Sequence, residues 1–332
     1  MFLFTAGAVP VLMGIVWTNV YHSSDPHVVA PLVVGFFFLI LFALWETYGN
    51  AAHPLTPTYM FASSWGRDLT APCIALAVVN MFYYSSSILW PTMIAVFYTD
   101  GGTDWRYGIL LSIVQGFAIT TGAILLSAFG SRIKHWNWTL TGSVFLMVVF
   151  GVLLALGKPT NKGLMIAMVF LSQTAYGWAI YLSIAISQMG VEHKDLGHSG
   201  GISGVSRFAA GTIAASVYTT ILTNTVTKWT LRYVPAAVEA AGLAASKVPG
   251  LLKDSTSPTF AKDYPAAVIA AYGGAVQRAY EKGIQNVAYA SLAFGIVGIV
   301  ACACCKDVNE KMNNKIEVYL ENTENANRNK YH

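Results

Sequence analysis

Eight separate stretches of this chain stay apolar for about twenty residues, the length that crosses a hydrocarbon core of roughly 30 Å. They are Phe2–Trp17, Val28–Trp45, Pro72–Tyr98, Tyr107–Phe129, Trp138–Leu156, Gly163–Gln188, Ser199–Leu222 and Ile284–Cys302. A soluble fold has no use for so many. Of the 332 residues, 55% are apolar and only 11% charged, against about 25% charged in ordinary soluble domains. Such a chain cannot cover its own surface with charge. A backbone in lipid must close its hydrogen bonds within each crossing segment. The sequence therefore predicts an all-α integral membrane protein of about eight transmembrane helices, in a multi-pass arrangement whose first partner is the lipid bilayer.

Eight crossings put both termini on one side. Lys and Arg favour cytoplasmic loops, and the short loops alternate between Arg67, Arg132, Lys134 and Lys194 on one side and Arg106, Lys158 and Lys162 on the other. That contrast is small. Lys306, Lys311 and Lys315, just past the last span, weigh more and place both termini in the cytoplasm. The end of the chain, rich in Asn, Glu and Lys, reads as a disordered tail. Phe2–Trp17 follows Met1 with no basic segment before it, so it reads as a crossing and not as a signal peptide. It is short for a span, and the expectation is that further sequence lies upstream.

Thr223–Gly283 stands apart, with Pro235, Pro249, Pro258 and Pro265 among mixed charges and Ala-rich pieces. It reads as an external loop with short helices packed on the mouth of the bundle. A lid over a substrate path is the second reading, since long loops are often functional. Ala266–Tyr280 is weakly helical by composition, Gly273 and Gly274 weakening it.

Inside the spans, the hydroxyl-bearing run FYYSSSILWP at 82–91 is the most informative. At 3.6 residues per turn, Asn80, Tyr83, Tyr84 and Ser87 fall near one face. Lipid cannot satisfy a polar stripe, so that face looks into a bundle or a watery cavity. Interhelical hydrogen bonding explains the serines. For the tyrosines and Trp90, bonding within the bundle and lining of a mostly apolar pocket stand side by side. Pro91 lacks an N–H and predicts a bend near Trp90. Further on, GHSGGISGVSRFAAGTIAASVYTTILTN at 197–224 carries small residues four apart, Gly200/Gly204 and Gly211/Ala215, which let a neighbouring helix approach. Within it sits Arg207, the only formal charge deep inside a span, about 12 Å beyond Ser199 at 1.5 Å per residue. Arg at such depth costs roughly 2.5–3.5 kcal/mol on insertion scales and marks a functional position or a side chain reaching back to the interface. Gln115, Gln173 and Gln188 complete the large amides, of which Gln115 and Gln173 suit a hydrogen bond to another helix ahead of one to substrate. The other spans offer Tyr176 and Tyr181, with Trp178 read as packing. FGSRIKHW at 129–136 makes a tight basic turn between two helices.

The sequence excludes several classes. The net charge of +4 comes without a basic cluster, so no nucleic-acid partner is expected. No glycine-rich phosphate loop with Lys-Ser/Thr appears, which removes ATP-driven pumping. His193 and His198 flank Lys194–Asp195 in a solvated turn, and no cluster suited to a metal or cofactor stands out. Cys73, Cys302, Cys304 and Cys305 read as small apolar fillers near span ends, ahead of palmitoylation. A membrane-embedded enzyme lacks a nucleophile–base pair. No Asp or Glu lies inside a span, Glu46 closing the second beside Trp45, so a proton-carrying carboxylate is missing too.

The segments YYSSSILWP (83–91), FGSRIKHWNWTLTGS (129–143), FLFTAGAVPVLMGIVW (2–17) and, most specifically, SRFAAGTIAASVYTTILTN (206–224) resemble the fungal trichothecene efflux pump family. That family belongs to the major facilitator superfamily and is close to the fungal siderophore–iron transporters. The resemblance covers nearly the whole chain. It implies fourteen spans, six, a central pair and six more, of which this chain matches the central pair and the second six. Residues 1–48 become two central linker helices and 49–71 a cytoplasmic loop. Residues 72–304 become the C-terminal six-helix half of a major facilitator fold, with a long extracellular loop at 223–283, and 305–332 the disordered cytoplasmic tail. The resemblance further implies a plasma-membrane secondary transporter, exporting a toxin or drug or carrying a siderophore, coupled to protons, whose coupling residues and first six helices lie in a missing N-terminal half. Asn80, Tyr83, Tyr84, Trp90, Gln115, Tyr176 and Arg207 are then the substrate-cavity candidates. Gly130, Arg132 and Lys134 become the degenerate copy of a cytoplasmic gating loop. The alternative is a truncated, non-transporting membrane protein or a half-subunit that needs a partner.

Overall fold

The computed structural model describes residues 1–49, 54–99, 104–254 and 260–309, and among them there are helices and no strands. In chain order they are α1 (Phe2–Trp17), α2 (Pro26–Tyr48), the short α3 (Thr58–Ala62), α4 (Thr70–Met93), α5 (Trp105–Phe129), α6 (Trp136–Val152), α7 (Lys162–Met189), α8 (Leu196–Ala240), the short α9 (Val248–Asp254) and α10 (Phe260–Asp263), and α11 (Ala266–Cys304). Asp25 caps α2 by accepting from the His27 N–H, with Pro26 next in place, where a missing N–H costs nothing. Asp104 does the same for α5 through the Tyr107 N–H.

Among the described residues, six helices are long and apolar enough to cross a bilayer: α2, α4 with the turn that follows it (Thr70–Tyr98), α5, α6 with its last turn (Trp136–Leu156), α7 and α11. Two of the eight expected crossings fall outside that set for different reasons. At 16 residues, α1 is about 24 Å long, short of a 30 Å core. Helix α8 has ample length, but its Gly, Ser and Thr content and Arg207 dilute its apolar character. The outward faces suit hydrocarbon, not water. Val33, Phe36, Phe37, Ile40 and Leu44 are exposed on α2, Ile109, Ile113, Phe117 and Ile124 on α5, and Ile296, Val297 and Val300 on α11. In water such contiguous apolar area would drive aggregation.

Helices α4 and α7 sit at the centre. Helix α4 packs on α8, α11 and α7, helix α7 on α5 and α6, and the α1–α2 hairpin leans on α8. Asn19, just past α1, fixes that last contact, donating to Ser216 and accepting from the Thr220 hydroxyl. Backbones meet where glycine allows it. A Cβ on Gly122 of α5 would collide with the Thr174 carbonyl of α7, and one on Gly177 with the Ile119 carbonyl.

The expected loop at 223–283 is a correction. Helix α8 runs unbroken to Ala240 and α11 starts at Ala266. With 45 and 39 residues they measure about 68 and 58 Å, twice what a hydrocarbon core needs. Beyond the bundle the two keep each other company and close a separate small core of Val234, Val238, Val248, Leu251, Val268 and Ala275. Residues 255–259 of this stretch lie outside the described residues, as do 50–53 of the 49–71 loop and 310–332 of the tail.

The start of the tail is anchored. Asp307 accepts from the Trp136 N–H at 3.1 Å and meets His135 Nδ1 at 3.2 Å, while Lys306 pairs with Asp68 at 3.4 Å. Asp68 is nearly buried; burial alone would raise its carboxyl, but bonds from Ser64 and Ser63 and the Lys306 ammonium outweigh this and hold it below the usual range. A folded-state value lower than the unfolded one stabilises the fold above the unfolded value, and that stability drains as pH falls through the folded one. Asp68→Asn should therefore melt earlier than the parent at pH 7. Titrating downward from about pH 4, the ordinary carboxylate value, should close the gap. A gap independent of pH would mean that the charge plays no part.

Candidate functional site

The polar stripe of α4 meets two other helices in the middle of the bundle. Asn80, 2% exposed, donates through Nδ2 to the Arg207 carbonyl of α8 at 2.9 Å. Its Oδ1 accepts from the Tyr176 hydroxyl of α7, also at 2.9 Å. One amide thus ties three helices. Tyr83 stacks on Tyr176 with centroids 4.3 Å apart and planes 13° from parallel, and Tyr84 stands edge-on to Tyr83 at 5.5 Å. The Arg207 guanidinium lies close to the Tyr176 hydroxyl and 5.4 Å from the Phe208 ring, yet its Nε is buried with no hydrogen-bond partner. Gly211, one turn past Arg207, makes room for these rings; a Cβ there would stand 2.9 Å from Asn80 Nδ2 and nearer still to Tyr84.

Five of the seven expected cavity residues therefore converge: Asn80, Tyr83, Tyr84, Tyr176 and Arg207. Tyr83, Tyr84 and Arg207 are half-buried, so part of each faces outward. Trp90 does not join them. It is 0% exposed and its indole N–H donates to the Leu111 carbonyl at 3.0 Å, riveting α4 to α5. A large ring whose one donor is spent on backbone is a packing anchor. Gln115 sits on α5, half-buried, with its amide nitrogen unpaired and no bond to the cluster among the described residues. The serines divide. Ser85 donates within its own helix to Phe82 O and not to a neighbouring helix as expected, and Ser86 is buried without a partner. The α-helix runs through Trp90 and Pro91 as far as Met93, where the expectation had been a bend near Trp90, and gives way to a π turn only at Ile94–Tyr98.

The small-residue spacing works at Gly211 and not at Gly200/Gly204. A Cβ on Gly204 would meet nothing within 4 Å, and one on Gly200 only the end of Gln188. Two buried polar residues stood outside the expected cavity set. Gln173, one turn from Tyr176 on α7, is 0% exposed with both amide atoms unpaired. Tyr218 is equally buried with an unpaired hydroxyl, and the spacing 207, 211, 214, 218 on one face of α8 was the available signal.

The three expected gating residues lie beside the anchored tail, in the turn that leads to His135 and Trp136. Gly130 is buried, opening a 3₁₀ turn to Arg132; Arg132 and Lys134 are exposed, and His135 takes the left-handed conformation, φ 63°. Arg132 lies 6.0 Å from the Phe129 ring. A separate cleft of about 740 Å³, lined by Phe4, Leu55, Lys194, His198, Val205 and Ser206, opens between α1 and the start of α8 and includes none of the polar network. Among the described residues, no group of three or more His, Cys, Asp or Glu could hold a metal ion.

The model of the family described as fungal trichothecene efflux pump (TRI12) matches residues 1–331. The MFS-type transporter prx5 of Penicillium rubens is 63% identical over 315 residues, covering 95% of this chain and 58% of that protein. The trichothecene efflux pump TRI12 of Fusarium sporotrichioides is 21% identical over 338 residues, 98% of this chain and 55% of that protein. Its counterpart in Trichoderma arundinaceum is 22% identical, with 95% and 54% covered. This chain spans little more than half the length of the curated relatives it matches. A bundle of apolar helices with a buried Asn–Tyr–Arg network, matched to one family model from end to end, belongs to the fungal trichothecene efflux pump family of the major facilitator superfamily.

Proposed function

We propose that this chain supplies the central helix pair and one six-helix half of a secondary transporter. The cargo is a small organic molecule, either a toxin or drug moved outward or a siderophore, exchanged against protons across the fungal plasma membrane. In this reading α1 and α8 also cross, making eight spans, with both termini in the cytoplasm and the paired extensions of α8 and α11 outside. An impermeant maleimide should then reach the exposed Cys304 only from the cytoplasmic side; labelling from outside overturns the sidedness.

The observation that carries the reading is the Asn80–Tyr176–Arg207 network. Stacked phenol rings give flat faces for an organic cargo, and Arg207 offers a buried N–H with nothing to bind. An intramembrane cation held among hydroxyls suits a pathway better than a scaffold. Alternating access rocks two six-helix halves around a midplane site, so the half-buried faces of Tyr83, Tyr84 and Arg207 would be completed by an opposed bundle. Arg207→Ala in the intact transporter should lower flux at least tenfold, the scale of one lost charge-assisted bond or more, with normal membrane insertion. Unchanged flux in vesicles would reduce Arg207 to packing.

The share of its relatives that this chain covers favours a second reading, a half that moves nothing by itself. Vesicles bearing this chain alone should then show no flux, and co-expression with an opposed six-helix bundle should restore it.

A further inference from the structure

Outside the apolar stretches, the extensions of α8 and α11 bring four cations to one side of an antiparallel pair. The register is fixed by Gly283, whose Cβ would meet Leu222 and Val226, and by Asn286, which donates to Thr225 Oγ1 at 3.2 Å. Carried outward from there, Lys282 comes level with Lys228 and Arg278 with Arg232. Each couple lies one turn, about 6 Å, from the next. Arg232 and Arg278 line the same groove of about 450 Å³, floored by Tyr233, Ala236, Ala271 and Gly274.

Like charges that face each other call for a counter-charge. Among the described residues none of the four has a carboxylate within ion-pair distance. Lys282 donates only to the neutral Gln285 at 3.2 Å, and Arg232 lies 5.1 Å from the Trp229 ring. Glu281 and Glu239 are near in sequence but make no ion pair with them. The level matters as much as the charge. Ile284 opens the apolar stretch of α11, so Lys282 stands about 3 Å and Arg278 about 9 Å beyond it. The headgroup layer is roughly 5–7 Å thick on each face of a bilayer: Lys282 stands within it and Arg278 just outside, from where a long basic side chain bends back toward it. Trp229 and Tyr233, stacked at 5.0 Å, are the ring types that gather at that level.

We infer that the Arg232–Arg278 groove is a binding site for the phosphate of an anionic phospholipid headgroup, with Lys228 and Lys282 on its membrane side. Two guanidinium forks converging on a phosphate form paired charge-assisted bonds. A lipid so held would fasten the helical extension to the membrane surface beside the bundle, a role apart from cargo movement.

The test is binding of short-chain phosphatidylglycerol and phosphatidylcholine to the chain purified in neutral detergent, with inorganic phosphate as competitor. The parent should bind phosphatidylglycerol at least tenfold tighter than phosphatidylcholine. Arg232→Gln and Arg278→Gln should each weaken it about fivefold, and the double variant about 25-fold, as expected for loss of one and two juxtamembrane cations. Arg106→Gln with Lys158→Gln, a charge loss of equal size elsewhere, should leave it unchanged. A fold check by thermal melting accompanies each variant, and Arg232→Lys with Arg278→Lys, which keeps the charge, should retain more affinity than the glutamines. Equal affinity for the two lipids, an unaffected double variant, or loss in the control pair alone would overturn the inference. Displacement by inorganic phosphate at the concentration where the lipid itself half-saturates would also overturn it, in favour of a soluble-anion site.

Discussion

Gly177→Ala should lower the thermal stability of the detergent-solubilised chain, although alanine is the better helix former. Propensity alone favours the change by about 1 kcal/mol. Against it stands the Ile119 carbonyl, which occupies the space a Cβ would need. A backbone oxygen cannot rotate away as a side chain does, so α5 and α7 must separate along their contact. Forced overpacking costs about 1–3 kcal/mol, and an obstacle made of backbone belongs at the upper end, leaving a net loss of about 2 kcal/mol. Gly116→Ala is the matching control: it lies on α5, three residues before Ile119, and a Cβ there meets nothing within 4 Å. It should raise stability by up to about 1 kcal/mol. Thiol-reactive dye reports both, because Cys73, Cys302 and Cys305 are buried and Cys304 is exposed. If the two substitutions shift the melting curve in the same direction, backbone contact between α5 and α7 is not what holds them.

Asn80→Leu should damage both stability and transport. Leucine has similar bulk but breaks the bonds to Arg207 O and from Tyr176 Oη together. The Arg207 carbonyl is part of a helical ladder, so the heavier penalty falls on the Tyr176 hydroxyl, stranded in the interior. An unpaired buried group costs about 1–3 kcal/mol, whereas intact interhelical bonds in membranes average only about 0.6 kcal/mol. The stranded hydroxyl therefore decides the size of the loss. Tyr176→Phe removes the donor itself and should cost less, and in the double variant the Asn80 change should cost less than it does alone. A coupling of about 0.5–3 kcal/mol is usual for groups in direct contact. Flux in the intact transporter should fall at least tenfold with Asn80→Leu, since the amide also holds Arg207 and Tyr83 in their mutual positions. Additive stability losses with full flux would remove the network from both the fold and the pathway.

The individual helices were legible because their cause is local. Their apolar runs announced α2, α4, α5, α6, α7 and α11, because a backbone in hydrocarbon closes its bonds within each segment. Arg207 announced an interior face by its cost in lipid, and Asn80, Tyr83 and Tyr84 announced one by their spacing. Trp90 shows the limit of that reasoning. It shares a helix and a chemical character with the tyrosines, but its indole N–H finds the Leu111 carbonyl on α5, and no pattern within α4 predicts that partner.

The sequence by itself determined that this is a helical membrane protein with a polar interior, because both follow from what a residue costs in hydrocarbon. Only the tertiary structure decided which polar groups meet. The bonds that join Asn80 to Tyr176 and to Arg207 span 96 and 127 residues of chain, and such partners are chosen by how helices pack, not by the pattern along any one of them. The same packing carried α8 to Ala240 and started α11 at Ala266, where composition suggested a loop. Two marginal helices become stable once each covers the apolar face of the other.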